Sequence, residues 1–202
     1  MIFPTYDIEE CLRGKGYKFV VGTDEVGRGC GAGPVVAAAV YIPDYAVQLL
    51  IGKVNDSKKL SPRKREYLFD LITDCCDYST QSIEADIIDK INILEATKLA
   101  MKSSIEQLSY YDYILIDGTV DLTKHVYCSQ EKVIRGDSKS ISIASASIVA
   151  KVTRDRMMGE LHLVFPVYGW DRNKGYLTQE HVEAIRTYGV TDFHRVSFNG
   201  VG

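Results

Sequence analysis

Long apolar runs are missing from this 202-residue chain. The longest, Val35 to Ile42, falls far short of the ~20 residues that a membrane-spanning helix needs. The opening residues, MIFPTYDIEE, lack the basic start of an export signal. The expectation is a soluble, cytoplasmic chain with no membrane partner. An excess of either charge is also missing, since 24 Lys and Arg stand against 27 Asp and Glu, a formal net charge of -3. Any nucleic acid must therefore be held by local basic patches, not by overall charge. The five cysteines (Cys11, Cys30, Cys75, Cys76 and Cys128) are odd in number, and neither CxxC nor Cys/His metal spacing occurs. That pattern fits reduced, mostly buried thiols better than a disulfide framework or a zinc site. Repeats and low-complexity tracts are absent. With 46% hydrophobic and 25% charged residues, collagenous and wholly disordered classes are excluded, and the length suits one domain.

What is present alternates. Phe19 to Thr23 (FVVGT) predicts a short strand, and Pro34 to Ile42 (PVVAAAVYI) a more buried one. Between them DEVGRGCGAG is too rich in glycine for strand or helix. Ser61 and Pro62 cap and open a helix to about Thr73, followed by a strand over Tyr78 to Ile83. Asn92 to Leu108 places Leu94, Met101, Ile105 and Leu108 on one helical stripe. Tyr113 to Ile116 is a strand ending at Asp117-Gly118, and a weaker strand covers Val126 to Ile134. Ile141 to about Leu163 predicts a long, largely buried helix, and Thr178 to Tyr188 the last one. Early strands and later alternation indicate an α/β fold with a mixed sheet. The whole of 1–202 forms one domain in this reading, with about 166–202 as a helical appendage.

Acidic residues stand where these elements give out. Asp24 and Glu25 follow an apolar strand and run into glycines, and Gly27 would permit the bend that brings both to one site. Asp117 closes the YILI strand, and Asp137 lies in RGDSKS before the long helix. Ligands of α/β folds gather at the carboxyl ends of strands. Four carboxylates there would make an oxygen-rich site for hard divalent cations, Mg²⁺ or Mn²⁺. Two such ions suit phosphoryl displacement. The plain alternative is that an Asp before Gly is a turn residue or cap. Asp24-Glu25 resists that reading, because adjacent acids repel unless something neutralises them. Asp155, between Arg154 and Arg156, is better read as an ion-pair residue.

Two patterns mislead. Gly27, Gly29 and Ala32 satisfy G-x-G-x-x-A, but Pro34 and a β-branched stretch follow where a dinucleotide site needs a helix. Ser147 and Lys151 are spaced to meet as a nucleophilic pair, yet no oxyanion loop accompanies them, so a packing Ser and a surface Lys are expected. The four histidines show no ligand spacing. Two basic runs could line a polyanion groove, although a solvated helix face is the ordinary alternative. Lys53 to Arg65 holds Lys53, Lys58, Lys59, Arg63, Lys64 and Arg65 against Asp56 alone. Lys132 to Arg156 holds six basic residues against Asp137 and Asp155. Tyr168, Trp170 and Tyr176 are candidates for stacking on sugars or bases.

The motifs GTDEVGRG (22–29), NDSKKLS (55–61), ILIDG (114–118), GDSKSISIASASIVAKVTRD (136–155), YGWDRNKGY (168–176) and FHRVSF (193–198) occur in that order. Together they resemble the bacterial type 2 ribonucleases H (ribonuclease HII) from about residue 19 to 198. The resemblance implies a ribonuclease H-like fold, a mixed five-stranded sheet flanked by helices with a helical C-terminal part. It implies cleavage of the RNA strand of RNA/DNA hybrids, and 5′ of single ribonucleotides in duplex DNA, leaving 3′-hydroxyl and 5′-phosphate ends. Mg²⁺ or Mn²⁺ is implied as cofactor, with Asp24, Glu25, Asp117 and Asp137 as catalytic ligands. Gly27, Arg28 and Gly29 would contact the 2′-hydroxyl, Tyr176 would stack on the neighbouring sugar, and Lys58 and Lys59 would hold phosphates.

Three places depart from the family pattern. Cys30-Gly31 replaces Pro-Leu, Ser145 replaces Ala, and Leu177 replaces a Pro after Tyr176. No protein partner is implied, and nothing requires more than a monomer. The competing readings are a two-metal nuclease for branched DNA, a binding module without activity, and a nucleotide-binding oxidoreductase.

Overall fold

The computed structural model describes residues 3–202. In chain order the elements are α1 (Asp7–Gly14), β1 (Val20–Val26), β2 (Val35–Tyr41), α2 (Asp44–Leu50), α3 (Pro62–Cys75), β3 (Asp77–Ile83), α4 (Ala85–Ile91), α5 (Ile93–Glu106), β4 (Tyr113–Asp117), β5 (Ser129–Val133), α6 (Ile141–Val164), α7 (Trp170–Asn173) and α8 (Gln179–Tyr188). The strands form one mixed sheet in the order β3-β2-β1-β4-β5. β1 is its centre, antiparallel to β2 and parallel to β4.

Caps written in the sequence start the helices. Ser61 Oγ accepts from the Lys64 N–H at 3.3 Å, with Pro62 in the first turn of α3. Asn92, at φ 67°, turns its side chain back to accept from Leu94 and Glu95 and starts α5. Ser140 and Thr178 cap α6 and α8 in the same way. α1, α2 and α4 are not legible in the sequence. Each is seven or eight residues long, too short to hold without packing against the rest of the fold.

Alternate residues of β1 and β2 serve two cores. Ala38 and Val40 pack with Leu68 and Ile72 of α3 and Ile148 of α6 on one face. Val21, Ala37 and Ala39 pack with Met101 and Ile105 of α5 on the other. α6 is enclosed on every side from Ile141 to Ala150, which is why its first turns are built from Ala and Ser. Leu94 departs from the expected stripe: it is exposed, while Met101 and Ile105 are fully buried.

β1 also runs further than expected. Pairing with β2 continues to Val26↔Val36, so Asp24 and Glu25 belong to the strand, not to a loop beyond it. Beyond α6, Phe165, Tyr168, Trp170 and Phe193 form an aromatic cluster with Ala32 and Met158. The Tyr168 and Trp170 rings stack at 5.0 Å. Trp170 is fully buried and Tyr168 nearly so, which removes both from the candidates for stacking on nucleic acid. The five cysteines are free, with Cys30 and Cys75 buried and Cys11 exposed. Among the described residues no helix is long and apolar enough to cross a membrane.

Candidate active site

Strand register brings the first two carboxylates together. Thr23 pairs with Ile116 across the parallel β1–β4 ladder, which sets Asp24 level with Asp117 at the carboxyl ends of adjacent strands. Asp24 faces α6, the side on which its cross-strand partner Ala38 packs. Glu25 leaves the unbroken strand on the opposite face and reaches the same cavity on its longer stem. Asp137 arrives by a different device. Asp117 Oδ1 accepts from the Gly136 N–H at 2.6 Å, pulling the 136–138 turn onto the end of β4. Glycine at 136 leaves room for the close approach: a Cβ there would lie 2.5 Å from Ile143 Cδ1 and 3.2 Å from Asp117 Oδ1, so Ile143 would have to shift.

The four acids line one cavity of about 350 Å³ with Lys58, Tyr176, Ser57, Ser147 and Lys151. Burial, then the Glu25 and Asp117 charges, hold the Asp24 carboxyl well above its ordinary range, against hydrogen bonds from Ser147 and the Glu25 N–H. Burial raises Glu25 too, opposed by Arg28, whose guanidinium donates to Glu25 Oε1 at 3.1 Å. Asp137 is raised by burial and by Asp117 and Asp56, and eased by Lys58 and Lys59. Such crowding of acids is relieved by protonation or by a bound cation, and an all-oxygen donor set suits Mg²⁺ or Mn²⁺ over softer ions. Among the described residues no three Asp, Glu, His or Cys side chains already form a closed ligand cage. Asp117 is turned to Gly136 and Glu25 to Arg28.

The other expected residues fall around this cavity in different ways. Lys58 and Tyr176 line it, while Lys59 stands outside and pairs with Asp56 at 3.5 Å. Arg28 reaches in through Glu25. Gly27, at φ 92°, makes the turn after β1, and a Cβ on Gly29 would lie 4.0 Å from the Tyr176 ring. Ser147 and Lys151, expected to be plain packing and surface residues, both line the cavity. Ser147 Oγ lies 3.1 Å from Ser57 Oγ, and Lys151 donates to Asp155 at 2.7 Å. Asp155 is therefore an ion-pair residue, but its partner is Lys151, not the neighbouring arginines. The i, i+4 spacing on a buried helix was the signal for both.

The second basic run is divided: Lys151 lines the cavity, but three of its members are engaged elsewhere. Arg154 is fully buried, Arg156 pairs with Glu66 and Lys132 with Asp121. Arg65 of the first run turns inward, donating to the Ser57 and Leu60 carbonyls at 3.0 and 2.7 Å, and so fixes the turn that presents Lys58.

Two of the departures from the family pattern meet in one contact. A Cβ on Gly31 would lie 2.5 Å from Leu177 Cδ2, so Leu177 occupies the space that a side chain at 31 would need. Gly31→Leu alone is expected to destabilise by about 1–3 kcal/mol through overpacking. Adding Leu177→Ala should recover most of that loss, a coupling that thermal melts of the four-member cycle would measure. Additive effects would show that the two positions do not share the space.

Fold and site together define a metal-dependent nuclease of the ribonuclease H-like fold. The family model described as Ribonuclease HII matches residues 21–201. Ribonuclease HII of Bacillus subtilis (strain 168) is 46% identical over 192 residues, covering 94% of this chain and 73% of that protein. Ribonuclease HII of Orientia tsutsugamushi (strain Ikeda) is 50% identical over 186 residues, 92% of this chain and 88% of the other. Among solved structures, ribonuclease H2 from Pyrococcus horikoshii OT3 superposes with a TM-score of 0.78 at 27% identity, over 91% of this chain and 95% of that one. The chain belongs to the ribonuclease HII family and is an endoribonuclease H that depends on divalent metal.

Proposed function

We propose that this chain, as a cytoplasmic monomer and one catalytic domain over 1–202, cuts the RNA strand of RNA/DNA hybrids and nicks duplex DNA on the 5′ side of single embedded ribonucleotides. The observation that carries the site is the level placement of Asp24 and Asp117 on adjacent parallel strands, in one cavity with Glu25, Asp137 and the half-exposed Tyr176. Asp24 and Asp117 would hold Mg²⁺ or Mn²⁺, two ions per site, with Glu25 and Asp137 completing the donor set. When bound, such ions lower the pKa of water to make hydroxide available at neutral pH and offset charge on the phosphate.

The chain's own groups do the rest. Ser147 and the Glu25 N–H hold the Asp24 carboxylate in one orientation. Lys58 receives a phosphate at the cavity, and Lys59 another outside it. Gly27-Arg28-Gly29 brings backbone close to a ribose, and the 2′-hydroxyl is the group by which RNA differs from DNA. Tyr176 stacks on the sugar beyond the scissile phosphate. In-line displacement then leaves a 3′-hydroxyl and a 5′-phosphate.

The test is a labelled DNA duplex carrying one ribonucleotide, incubated with Mg²⁺, Mn²⁺ or EDTA beside an all-DNA duplex. One metal-dependent cut 5′ of the ribonucleotide is expected, with none in EDTA and none in plain DNA. Cleavage of branched all-DNA substrates in preference would overturn the assignment of the glycine turn.

A further inference from the structure

Tyr176 is presented by backbone, and one buried side chain holds that backbone from behind. His181 is fully buried on α8. Its Nδ1 lies 3.0 Å from the Tyr176 carbonyl. On the far side of the ring, Trp170 Nε1–H donates to His181 Nε2 at 3.1 Å, and His194 Nε2 lies 3.2 Å from the same atom.

Hydrogen counting assigns every proton in this chain. An indole N–H only donates, so His181 Nε2 is an acceptor and the His181 proton sits on Nδ1, aimed at Tyr176. The Thr191 N–H donates to His194 Nδ1 at 2.9 Å, so His194 carries its proton on Nε2, and the one lone pair of His181 Nε2 is shared between that N–H and the indole N–H in a three-centre contact. Both rings are thus neutral, each in one tautomer. Burial lowers the pKa of both, His194 to about 4 with His181 adding to the effect.

We propose that His181 is a positioning residue for substrate choice: locked in its Nδ1–H tautomer by Trp170 and His194, it fixes the Tyr176 carbonyl and so the height at which the Tyr176 ring meets the sugar. The inference rests on the sugar-stacking role of Tyr176. The same carbonyl also accepts from the Thr178 N–H at 2.8 Å, so the turn persists without His181 but loses one of its two restraints.

Two substitutions separate positioning from support. His181→Asn places an N–H where Nδ1 stands and leaves Trp170 and His194 without their acceptor. His181→Gln does the reverse, offering an oxygen near Nε2 and nothing to Tyr176. The protein has one tryptophan, so its fluorescence reports the buried side of the network directly. The activity readout is kcat/KM for the single-ribonucleotide duplex divided by that for an RNA/DNA hybrid.

His181→Gln is expected to lower this ratio about three- to tenfold, the worth of one hydrogen bond, with tryptophan emission near that of the unsubstituted protein. His181→Asn is expected to keep the ratio within about twofold while emission shifts, the smaller change reflecting the retained bond. Ratios that follow the tryptophan signal instead would assign His181 to packing alone and overturn the proposal, as would a ratio unmoved in a folded His181→Gln. Should both variants fail to fold, His194→Gln tests the same lock through His181, and an unmoved ratio there overturns it. Tyr176→Ala is run alongside. If it too leaves the ratio unmoved, the sugar-stacking role has failed; if only it moves the ratio, the failure is that of His181.

Discussion

Asp24→Asn is expected to abolish cleavage, by at least about a thousandfold, while the metal-free protein becomes more stable and hybrid binding survives. The loss follows from removing a central ligand charge, since metal-assisted phosphoryl transfer draws several kcal/mol from its cations and each 1.36 kcal/mol is about tenfold in rate. The gain in stability comes from the same residue. Asp24 is only 7% exposed and sits beside Glu25 and Asp117, so its ionised form is disfavoured in the fold.

The pH dependence has a definite sign. Below about pH 4 the carboxyl is neutral in both folded and unfolded chains, and no penalty exists. As pH rises from the unfolded value towards the raised folded value, the unfolded chain releases its proton first, and stability falls. Above the folded value the penalty is complete. Asp24→Asn removes it, and with EDTA present a rise of about 2–4 °C in Tm is expected for each kcal/mol recovered in a chain of this size. Thermal melts at pH 5 and pH 8 check this, since the advantage of the variant should be larger at pH 8. Retained cleavage, or a variant less stable in EDTA at pH 8, would contradict the assignment of Asp24 as a crowded ligand.

Arg154→Met should produce the largest loss of stability. Arg154 is fully buried, and its guanidinium donates to the carbonyls of Pro34 at 2.8 Å, Ala32 at 3.0 Å and Lys174 at 2.7 Å. It thereby ties the loop after the glycine turn to the segment that ends in Tyr176. Gly27 makes room for it, since a Cβ there would lie 2.2 Å from its Nε, while Gly33 chiefly makes room for Met158, whose Sδ would lie 2.3 Å from a Cβ. Methionine fills much of the volume but strands three buried carbonyls, at about 1–3 kcal/mol each. A loss of at least about 3 kcal/mol follows, or about 6–12 °C in Tm. Arg154→Lys should rescue only partly, because an ammonium cannot reproduce the planar fork. Differential scanning calorimetry of both variants decides the matter, and an unchanged Tm for Arg154→Met would refute this account of the loop. Arg195 does related work nearby, donating to the carbonyls of Gly33 and Arg28.

These two arginines show where sequence reasoning ran short. By charge and spacing Arg154 belongs with Lys151 and Arg156 in a basic run, and such a run suggests a surface for phosphates. Nothing local distinguishes a guanidinium that faces water from one that meets three carbonyls. Those carbonyls come from residues 32, 34 and 174, distant in the chain. Trp170 and Tyr168 were misplaced for the same reason: an aromatic residue is equally suited to a core and to a base. His181 and His194 were passed over because their thirteen-residue separation matches no ligand pattern, and folding α8 against the last segment is what puts their rings in contact.

Asp24, Glu25, Asp117 and Asp137 were legible because two signals coincide on them. Each stands at the end of an apolar stretch, and each lies in a motif shared with the family. The strands, the cap at Ser61 and the buried character of α6 were legible too, since periodicity and capping act over a few residues, whereas the caps at Asn92, Ser140 and Thr178 were seen only in the structure. The sequence by itself thus determined the five strands, the four longer helices, the candidate acids at the strand ends and the family resemblance. Tertiary structure alone decided that Asp24 and Asp117 stand level, that Asp117 holds the turn bearing Asp137, and that Leu177 fills the space beside Gly31. It also decided which cations reach the cavity and which are consumed inside the fold. The physical reason is range: local propensity acts within a turn or a strand, whereas register, burial and hydrogen-bond partners are set by segments that meet only when the chain closes.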